Sequence, residues 1–130
     1  NLKQQDIKIA GHSIECRINA EDPENNFFPS PGRVDRLVVE NRSGVRFDTM
    51  LFDKYVVTPF YDSLVGKLVV HAKDRPDAIK KLKKTLGDLR IEGISTTIPL
   101  HLELCSSKVV IDGDFDTEFL ERYIEDKLKD

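Results

Sequence analysis

Apolar and polar residues alternate in the stretch HSIECRINAEDP, residues 12–23. The even-numbered positions from 14 to 20 are apolar, whereas the odd-numbered positions from 13 to 19 are polar or charged. A repeat of two places these two sets on opposite faces of a strand. The pattern therefore predicts a half-buried strand that ends at Asp22 and Pro23.

Further short apolar runs predict more strands before residue 73. A polar turn over residues 41–44 separates two of these runs, and we expect their strands to form a hairpin. Pro59 and the pair Asp62–Ser63 mark another turn, which precedes the last run. The predicted strands are Val34–Val39, the run around Arg46, Tyr55–Val57 and Gly66–Ala72.

The spacing of apolar residues lengthens from two to three and four after residue 74, which is typical of a helix with one buried face. Pro76 suits the first turn of this helix, with Asp74 or Arg75 before it. Its lysines occupy the other positions and face outward. The apolar positions are Ile79, Leu82, Leu86 and Leu89.

Two more helices are predicted, one from about Thr97 and one from about Thr117. The apolar stripe of the second continues to Leu128, and acidic residues at its start suit the helix dipole. Strands followed by helices favour an α+β fold, with a mainly antiparallel β-sheet in the first two thirds and packed helices in the last third. We expect one domain over residues 1–130.

Composition narrows the classes of function. The chain has 39% hydrophobic and 33% charged residues and a net charge of −3, so no basic excess favours nucleic acid. No apolar run approaches the roughly 20 residues that span a bilayer, and the start lacks a signal-peptide pattern. We therefore expect a cytoplasmic protein that binds neither nucleic acid nor membrane. Because the first residue is not Met, we also expect a piece of a longer protein.

Two motifs suggest metal sites, and neither is complete. His101 and Cys105 are four residues apart on a predicted helix, but they lie on its apolar stripe without further ligands. In DGDFDT, residues 112–117, Thr117 replaces the glycine of a calcium loop, and Tyr123 replaces its final glutamate. No metal site is predicted, and we expect Cys16 and Cys105 to be reduced core thiols.

Three charged features allow two interpretations each. Arg46 lies between Val45 and Phe47, and its local pattern favours an ion pair with Asp48 over an anionic ligand. The lysine-rich helix face favours solvent over a phosphate or acidic partner. Lys67 and His71 share a strand face that is either solvated or in contact with a second copy of the chain. These residues alone do not form a complete active site.

Six segments nonetheless resemble, in sequence, order and spacing, the C-terminal domain of biotin carboxylase. This domain occurs in acetyl-CoA, propionyl-CoA, methylcrotonyl-CoA and pyruvate carboxylases. The resemblance covers nearly the whole chain. The segments are GHSIECRINAEDP (11–23), FPSPGRV (28–34), SGVRFD (43–48), FYDSLVGKL (60–68), GISTTIPLH (93–101) and FDTEFLE (115–121).

The resemblance implies part of an ATP-dependent ligase that activates bicarbonate as carboxyphosphate and carboxylates biotin on a carrier protein. It also implies that the ATP-grasp region, with the residues that bind ATP, Mg²⁺ and most of the bicarbonate site, precedes Asn1. The chain alone is therefore not expected to be active. The implied partners are a biotin carboxyl carrier protein, carboxyltransferase subunits and a second copy in a homodimer.

The resemblance also assigns roles to individual residues. Arg46 of the GVR motif is the expected catalytic residue, in contact with the biotin ureido oxygen and bicarbonate. Thr117 and Glu118 are expected at the adenine edge of the nucleotide site, although a helix cap explains them equally well. His71 and Arg75 are expected at the dimer interface.

The favoured parent is a bacterial-type acetyl-CoA carboxylase that serves fatty acid biosynthesis. The alternatives are pyruvate or propionyl-CoA carboxylase, or a non-catalytic dimerisation module when the chain is isolated.

Overall fold

Strands predominate up to residue 72 and helices follow, which confirms the predicted α+β class. The computed structural model describes residues 1–127, so Leu128 of the last predicted helix lies outside the described residues. The strands are β1 (His12–Asn19), β2 (Glu21–Asp22), β3 (Phe28–Pro29), β4 (Gly32–Arg33), β5 (Arg36–Val38), β6 (Val45–Thr49), β7 (Val56–Val57), β8 (Leu64–Ala72) and β9 (Arg90–Glu92). The helices are α1 (Arg75–Asp88), α2 (Ile98–Leu104), α3 (Lys108–Asp112) and α4 (Phe119–Lys127).

The largest sheet is antiparallel and has the strand order β1-β8-β6. Its register pairs Cys16 with Leu68, and Leu68 with Phe47 on the other side. These residues share the face that turns toward the core, where Ile18, Leu68 and Val70 are fully buried. The predicted alternation along β1 is therefore confirmed, and β8 forms the centre of the sheet.

Helix α1 covers the apolar face of this sheet through contacts with β8 and β1. It begins after Asp74, whose carboxylate accepts a hydrogen bond from the Asp77 backbone N–H at 2.9 Å, and Pro76 lies in the first turn as predicted. The apolar stripe of the helix is buried. Its buried hydrophobic residues are Ala78, Ile79, Leu82 and Leu86.

The predicted hairpin between the run at residues 34–39 and the Arg46 strand is wrong. β5 pairs with β9, where Leu37 faces Ile91, and β6 pairs with β8. The long strand β8 offers β6 an apolar partner face, and Gly66 leaves room on it, since a Cβ there would lie 2.5 Å from the Phe47 ring. Packing against residues that are distant in sequence thus determined which strands pair, and the short polar turn did not.

The helical part differs from prediction in two details. α2 follows Thr97 as expected, but the short helix α3 was not predicted, and Gly113 ends it in a left-handed conformation at φ 75°. α4 begins at Phe119 instead of about Thr117. The reason is that the Asp116 carboxylate accepts the Glu118 N–H at 3.1 Å, which holds the preceding residues in a turn.

Candidate functional site

The solvent-exposed face of the β1-β8-β6 sheet carries polar and charged side chains in rows across the strands. We call this surface the outer face. The register aligns Glu15, Val69 and Arg46 in one row and Arg17, Lys67 and Asp48 in the next, with Ser13 beside His71. Lys67 Nζ lies 3.7 Å from a Glu15 carboxylate oxygen.

Arg46 is the most exposed charged side chain of the outer-face ion pairs, at 69%. Its Nε donates to both carboxylate oxygens of Asp48, at 3.0 and 3.1 Å, so the predicted same-face pair is confirmed. Within residues 1–127, no hydrogen bond or ion pair engages its two terminal Nη atoms. Asp48 thus orients the guanidinium while its outer fork remains available to a ligand.

Two cations fasten the turn from which the Arg46 strand starts. Lys81 Nζ of α1 donates to the backbone carbonyl oxygens of Ser43, at 3.1 Å, and His71, at 2.7 Å. Arg42 donates to the Asp88 carboxylate at 2.5 Å, and this hydrogen bond holds the pKa of Asp88 below its ordinary value. The start of β6 is therefore tied to both β8 and α1.

Sequence reasoning missed both of these cations. Lys81 was one of several lysines on a helix face, and its acceptors are backbone carbonyls that no side-chain pattern marks. The Arg42–Asp88 pair joins residues 46 positions apart. The sequence pattern predicted the polar turn in this region but not the contacts that fasten it.

His71 and Arg75, the residues expected at a dimer interface, have different surroundings. His71 is exposed at the end of the outer face, and its Nε2 lies 2.8 Å from the Ala10 carbonyl oxygen. Arg75 is half-buried and donates to the carbonyl oxygens of Val110, at 2.5 Å, and Ile111, at 3.3 Å. Its guanidinium also lies 5.9 Å from the centre of the Phe115 ring. Arg75 therefore ties α1 to α3 within the chain.

Thr117 lines an apolar cavity of about 290 Å³ between β1, the helices and the segment before α4. Glu118 does not line this cavity, and its carboxylate pairs with Arg122 at 3.3 Å. The structure thus brings one of the two residues expected at the nucleotide edge to a concave surface. Neighbouring lining residues include Cys16, Leu82, His101, Cys105 and Phe119.

The two cysteines are free and buried, which confirms the prediction of reduced core thiols. Burial raises the pKa of the Cys16 thiol to about 12 and also raises the pKa of Cys105. His101 Nε2 lies 2.8 Å from the Arg17 carbonyl oxygen, and burial lowers the His101 pKa. Both residues of the incomplete His101–Cys105 motif thus pack in the core region. Among residues 1–127, no group of three or more His, Cys, Asp or Glu side chains could hold a metal ion.

The YDS motif forms a turn beside β8. The Asp62 carboxylate accepts the Leu64 N–H at 2.7 Å, and the Ser63 hydroxyl donates to the Glu21 carboxylate. Both contacts hold the start of β8 to its surroundings. Tyr61 and the preceding Phe60 are strongly exposed.

Within the described part of the chain, no helix is long and apolar enough to cross a bilayer.

Comparison with known proteins gives a consistent result. The family model of the biotin carboxylase C-terminal domain matches residues 15–122. Biotin carboxylase 1 of Bacillus subtilis is 44% identical over 123 residues, which cover 95% of this chain and 27% of that protein. One of the pyruvate carboxylase subunits of Methanothermobacter thermautotrophicus is 41% identical over 92% of this chain and 24% of its own length.

A solved structure agrees with these relatives. The dimeric biotin carboxylase domain of 2-oxoglutarate carboxylase from Hydrogenobacter thermophilus was crystallised with MgADP, ADP and bicarbonate. It superposes with a TM-score of 0.89 at 41% identity and covers 94% of this chain and 27% of that one. The chain therefore spans about a quarter of the length of these relatives.

Proposed function

The chain belongs to the biotin carboxylase C-terminal domain family, and we propose that in its parent enzyme it forms one wall of the site where biotin is carboxylated. The proposed reaction uses ATP and bicarbonate to carboxylate biotin on a carrier protein. The observation that carries the proposal is Arg46, an exposed arginine of the GVR motif whose terminal nitrogens have no partner among residues 1–127.

The chemistry of Arg46 suits this role. Bound biotin offers a ureido nitrogen as the carboxyl acceptor, and its deprotonation places negative charge on the ureido oxygen. A guanidinium already oriented by Asp48 stabilises that charge without reorganising during the reaction. The free fork can also engage an oxygen of bicarbonate at the same time, which the point charge of a lysine does less well. Arg46 is therefore the proposed catalytic residue.

We propose that the nucleotide site of the parent reaches this chain at Thr117. The cavity at Thr117 has a mostly apolar lining, with the charged residues Glu15, Arg17, Arg75 and Asp116 also among its lining residues, and an apolar lining suits the edge of a planar base. ATP and Mg²⁺ would be held mainly by the region that the family resemblance places before Asn1. A relative of known structure that carries MgADP and bicarbonate supports the same set of ligands for the parent.

We also propose a homodimeric parent, because the Hydrogenobacter relative is a dimer of biotin carboxylase domains. His71, exposed at the end of the outer face, would contact a second copy directly, whereas Arg75 would contribute by holding α3 in place. The proposed further partners are a biotin carboxyl carrier protein and carboxyltransferase subunits.

Acetyl-CoA is the proposed final acceptor of the carboxyl group, which would give the parent enzyme a role in fatty acid biosynthesis. The cytoplasmic location stays a prediction. Pyruvate or propionyl-CoA carboxylase is the alternative parent. The methanogen relative, which is named for pyruvate carboxylase, is nearly as similar as the Bacillus biotin carboxylase, so this domain does not distinguish the acceptors.

An assay of ATP hydrolysis that depends on both bicarbonate and free biotin tests the proposal. We expect activity from the parent protein that contains this chain and none from the 130-residue chain alone. An inactive but folded parent would contradict the proposed function. Turnover by the chain alone would contradict its role as one wall of a larger site. A dimeric but inactive chain would agree with the interaction-module alternative for the isolated piece.

A further inference from the structure

A second concave surface lies where α1 meets the end of β8 and the turn before β6. Its volume is about 430 Å³, within the range of small-molecule sites, and Arg46 is not among its lining residues. We call it the basic pocket. It is lined by Arg42, Ser43, Ala72, Lys73, Asp77, Lys80, Lys81 and Lys84.

Positive charge is concentrated in the basic pocket although the whole chain has a net charge of −3. Among residues 1–127, five of its lining residues are cationic and one, Asp77, is acidic. The spacing of Asp77, Lys80, Lys81 and Lys84 places them on one side of α1. A concave surface lined by charges of one sign focuses the electric field and concentrates ions of the opposite sign.

The ion pairs of the chain leave part of this charge uncompensated. Lys73 pairs with Asp77 at 3.2 Å, and Lys84 lies 3.9 Å from Asp88, which also accepts from Arg42. In contrast, neither Lys80 nor Lys81 has a carboxylate partner within residues 1–127. Two lysines of the basic pocket therefore carry charge that no acidic side chain of the described residues neutralises.

Arg42 adds an independent observation. Its Nη1 is buried and has no hydrogen-bond partner among residues 1–127, although Nη2 binds both Glu40 and Asp88. A buried guanidinium nitrogen without an acceptor is unfavourable, since desolvation is not offset by a hydrogen bond. Because Arg42 lines the basic pocket, an anion bound there would lie beside this guanidinium.

We propose that the basic pocket binds a small anion with at least two negative charges, of the phosphate or carboxylate class. Lys80 supplies an ammonium without a carboxylate partner among residues 1–127, Lys84 lies one turn further along the same helix face, and Arg42 adds a guanidinium from the turn before β6. No aromatic side chain of the described residues lines the pocket, so stacking of nucleic-acid bases is not provided for.

The test is an NMR titration of the isotope-labelled chain with two probes, pyrophosphate and malonate, which represent the two anion classes. We expect saturable shifts of the backbone amides of Ser43, Ala72 and Lys80 with at least one probe. The probe that binds more tightly identifies phosphate or carboxylate as the preferred class. Absence of saturable shifts at these amides with both probes would overturn the proposal.

A matched pair of charge reversals gives the control. Lys80→Glu should weaken binding by about fivefold or more, because it replaces an attraction at a few ångströms with a repulsion. Lys83→Glu makes the same charge change on the same helix, but Lys83 bonds the Ser106 hydroxyl at 2.7 Å and does not line the pocket. We expect little effect from Lys83→Glu. Equal weakening by both variants would show general charge attraction and would overturn a defined site.

Discussion

The two faces of the β1-β8-β6 sheet differ in what their residues contact. On the inner face, Ile18, Leu68 and Val70 are fully buried against α1 and neighbouring strands. On the outer face, the side chains of Arg46, Asp48 and Lys67 are 69%, 43% and 44% exposed; Arg46 pairs with Asp48, and Lys67 pairs with Glu15. The same three strands thus provide a core surface and an open charged surface.

The inner face should therefore contribute mainly to the stability of the fold, and the outer face mainly to the proposed chemistry. Burial of apolar side chains supplies most of the free energy of folding, whereas exposed ion pairs contribute little to it. Inner-face residues should therefore be sensitive to changes in size. Outer-face residues should be replaceable without unfolding, even where their loss removes function.

The largest expected effect on stability comes from Leu68→Ala. Removal of a fully buried leucine leaves a cavity beneath α1 and should lower the free energy of unfolding by about 2–5 kcal/mol. Urea denaturation followed by circular dichroism measures this change. The control is Val69→Ala, the next residue, whose side chain lies on the outer face. A loss for Val69→Ala as large as that for Leu68→Ala would contradict the distinction between the faces.

A smaller effect is expected from Lys81→Met, which keeps the aliphatic stem and removes the donor to Ser43 and His71. Loss of these contacts should cost about 1 kcal/mol and loosen the start of β6. Hydrogen exchange should accelerate at the His71 amide, which donates to the Gly44 carbonyl at 2.8 Å.

Lys80→Met is the matched control for the loss of the Lys81 hydrogen bonds, since Lys80 donates to no carbonyl among residues 1–127. Its amide exchange at His71 should equal that of the unchanged chain. If Lys81→Met also left this exchange unchanged, Lys81 would have no role in fastening the turn.

The smallest effect is a pH dependence at His101. Burial lowers its pKa in the folded chain, so the unfolded chain binds a proton at higher pH than the folded chain does. Stability from neutral His101 is therefore complete above the ordinary histidine pKa of about 6.5 and declines as the pH falls toward the folded pKa. Unfolding midpoints of the unchanged chain should fall relative to His101→Gln over this range. A constant difference would exclude the effect.

Local pattern predicted the features that depend on neighbours in sequence. The period of two gave the faces of β1, the spacing of three and four gave the buried stripe of α1, and Arg46 and Asp48 pair because alternation places them together. The hairpin prediction failed because strand pairing depends on distant surfaces, here the inner face of β8. The hydrogen bonds of Lys81 could not be predicted either, since its acceptors become its neighbours only in the folded chain.

The features of the candidate site also differ in whether the local pattern predicted them. Residues alone favoured an ion pair for Arg46, and the structure contains that pair. Its proposed role came from the resemblance of whole segments, because the negative charge that Arg46 would stabilise belongs to a ligand. Thr117 reaches a cavity only through the packing of the segment before α4 on β1 and α1.

The chain offers a matched control for Arg46. Arg33 and Asp35 form another exposed pair two residues apart, at 2.9 Å and with side chains 64% and 56% exposed. Neither residue lies on the outer face. Glutamine at either arginine should change the free energy of unfolding by less than about 0.5 kcal/mol.

The most direct measurement is the rate of biotin carboxylation by the parent enzyme with Arg46→Gln, compared with Arg33→Gln. We expect Arg46→Gln to lower the rate by about 100-fold or more, since it removes the charge that is proposed to stabilise the developing oxyanion, while ATP binding persists. Arg33→Gln should retain nearly full activity. Unchanged carboxylation by folded Arg46→Gln enzyme, or an equal loss in both variants, would contradict the assignment of Arg46 to the reaction.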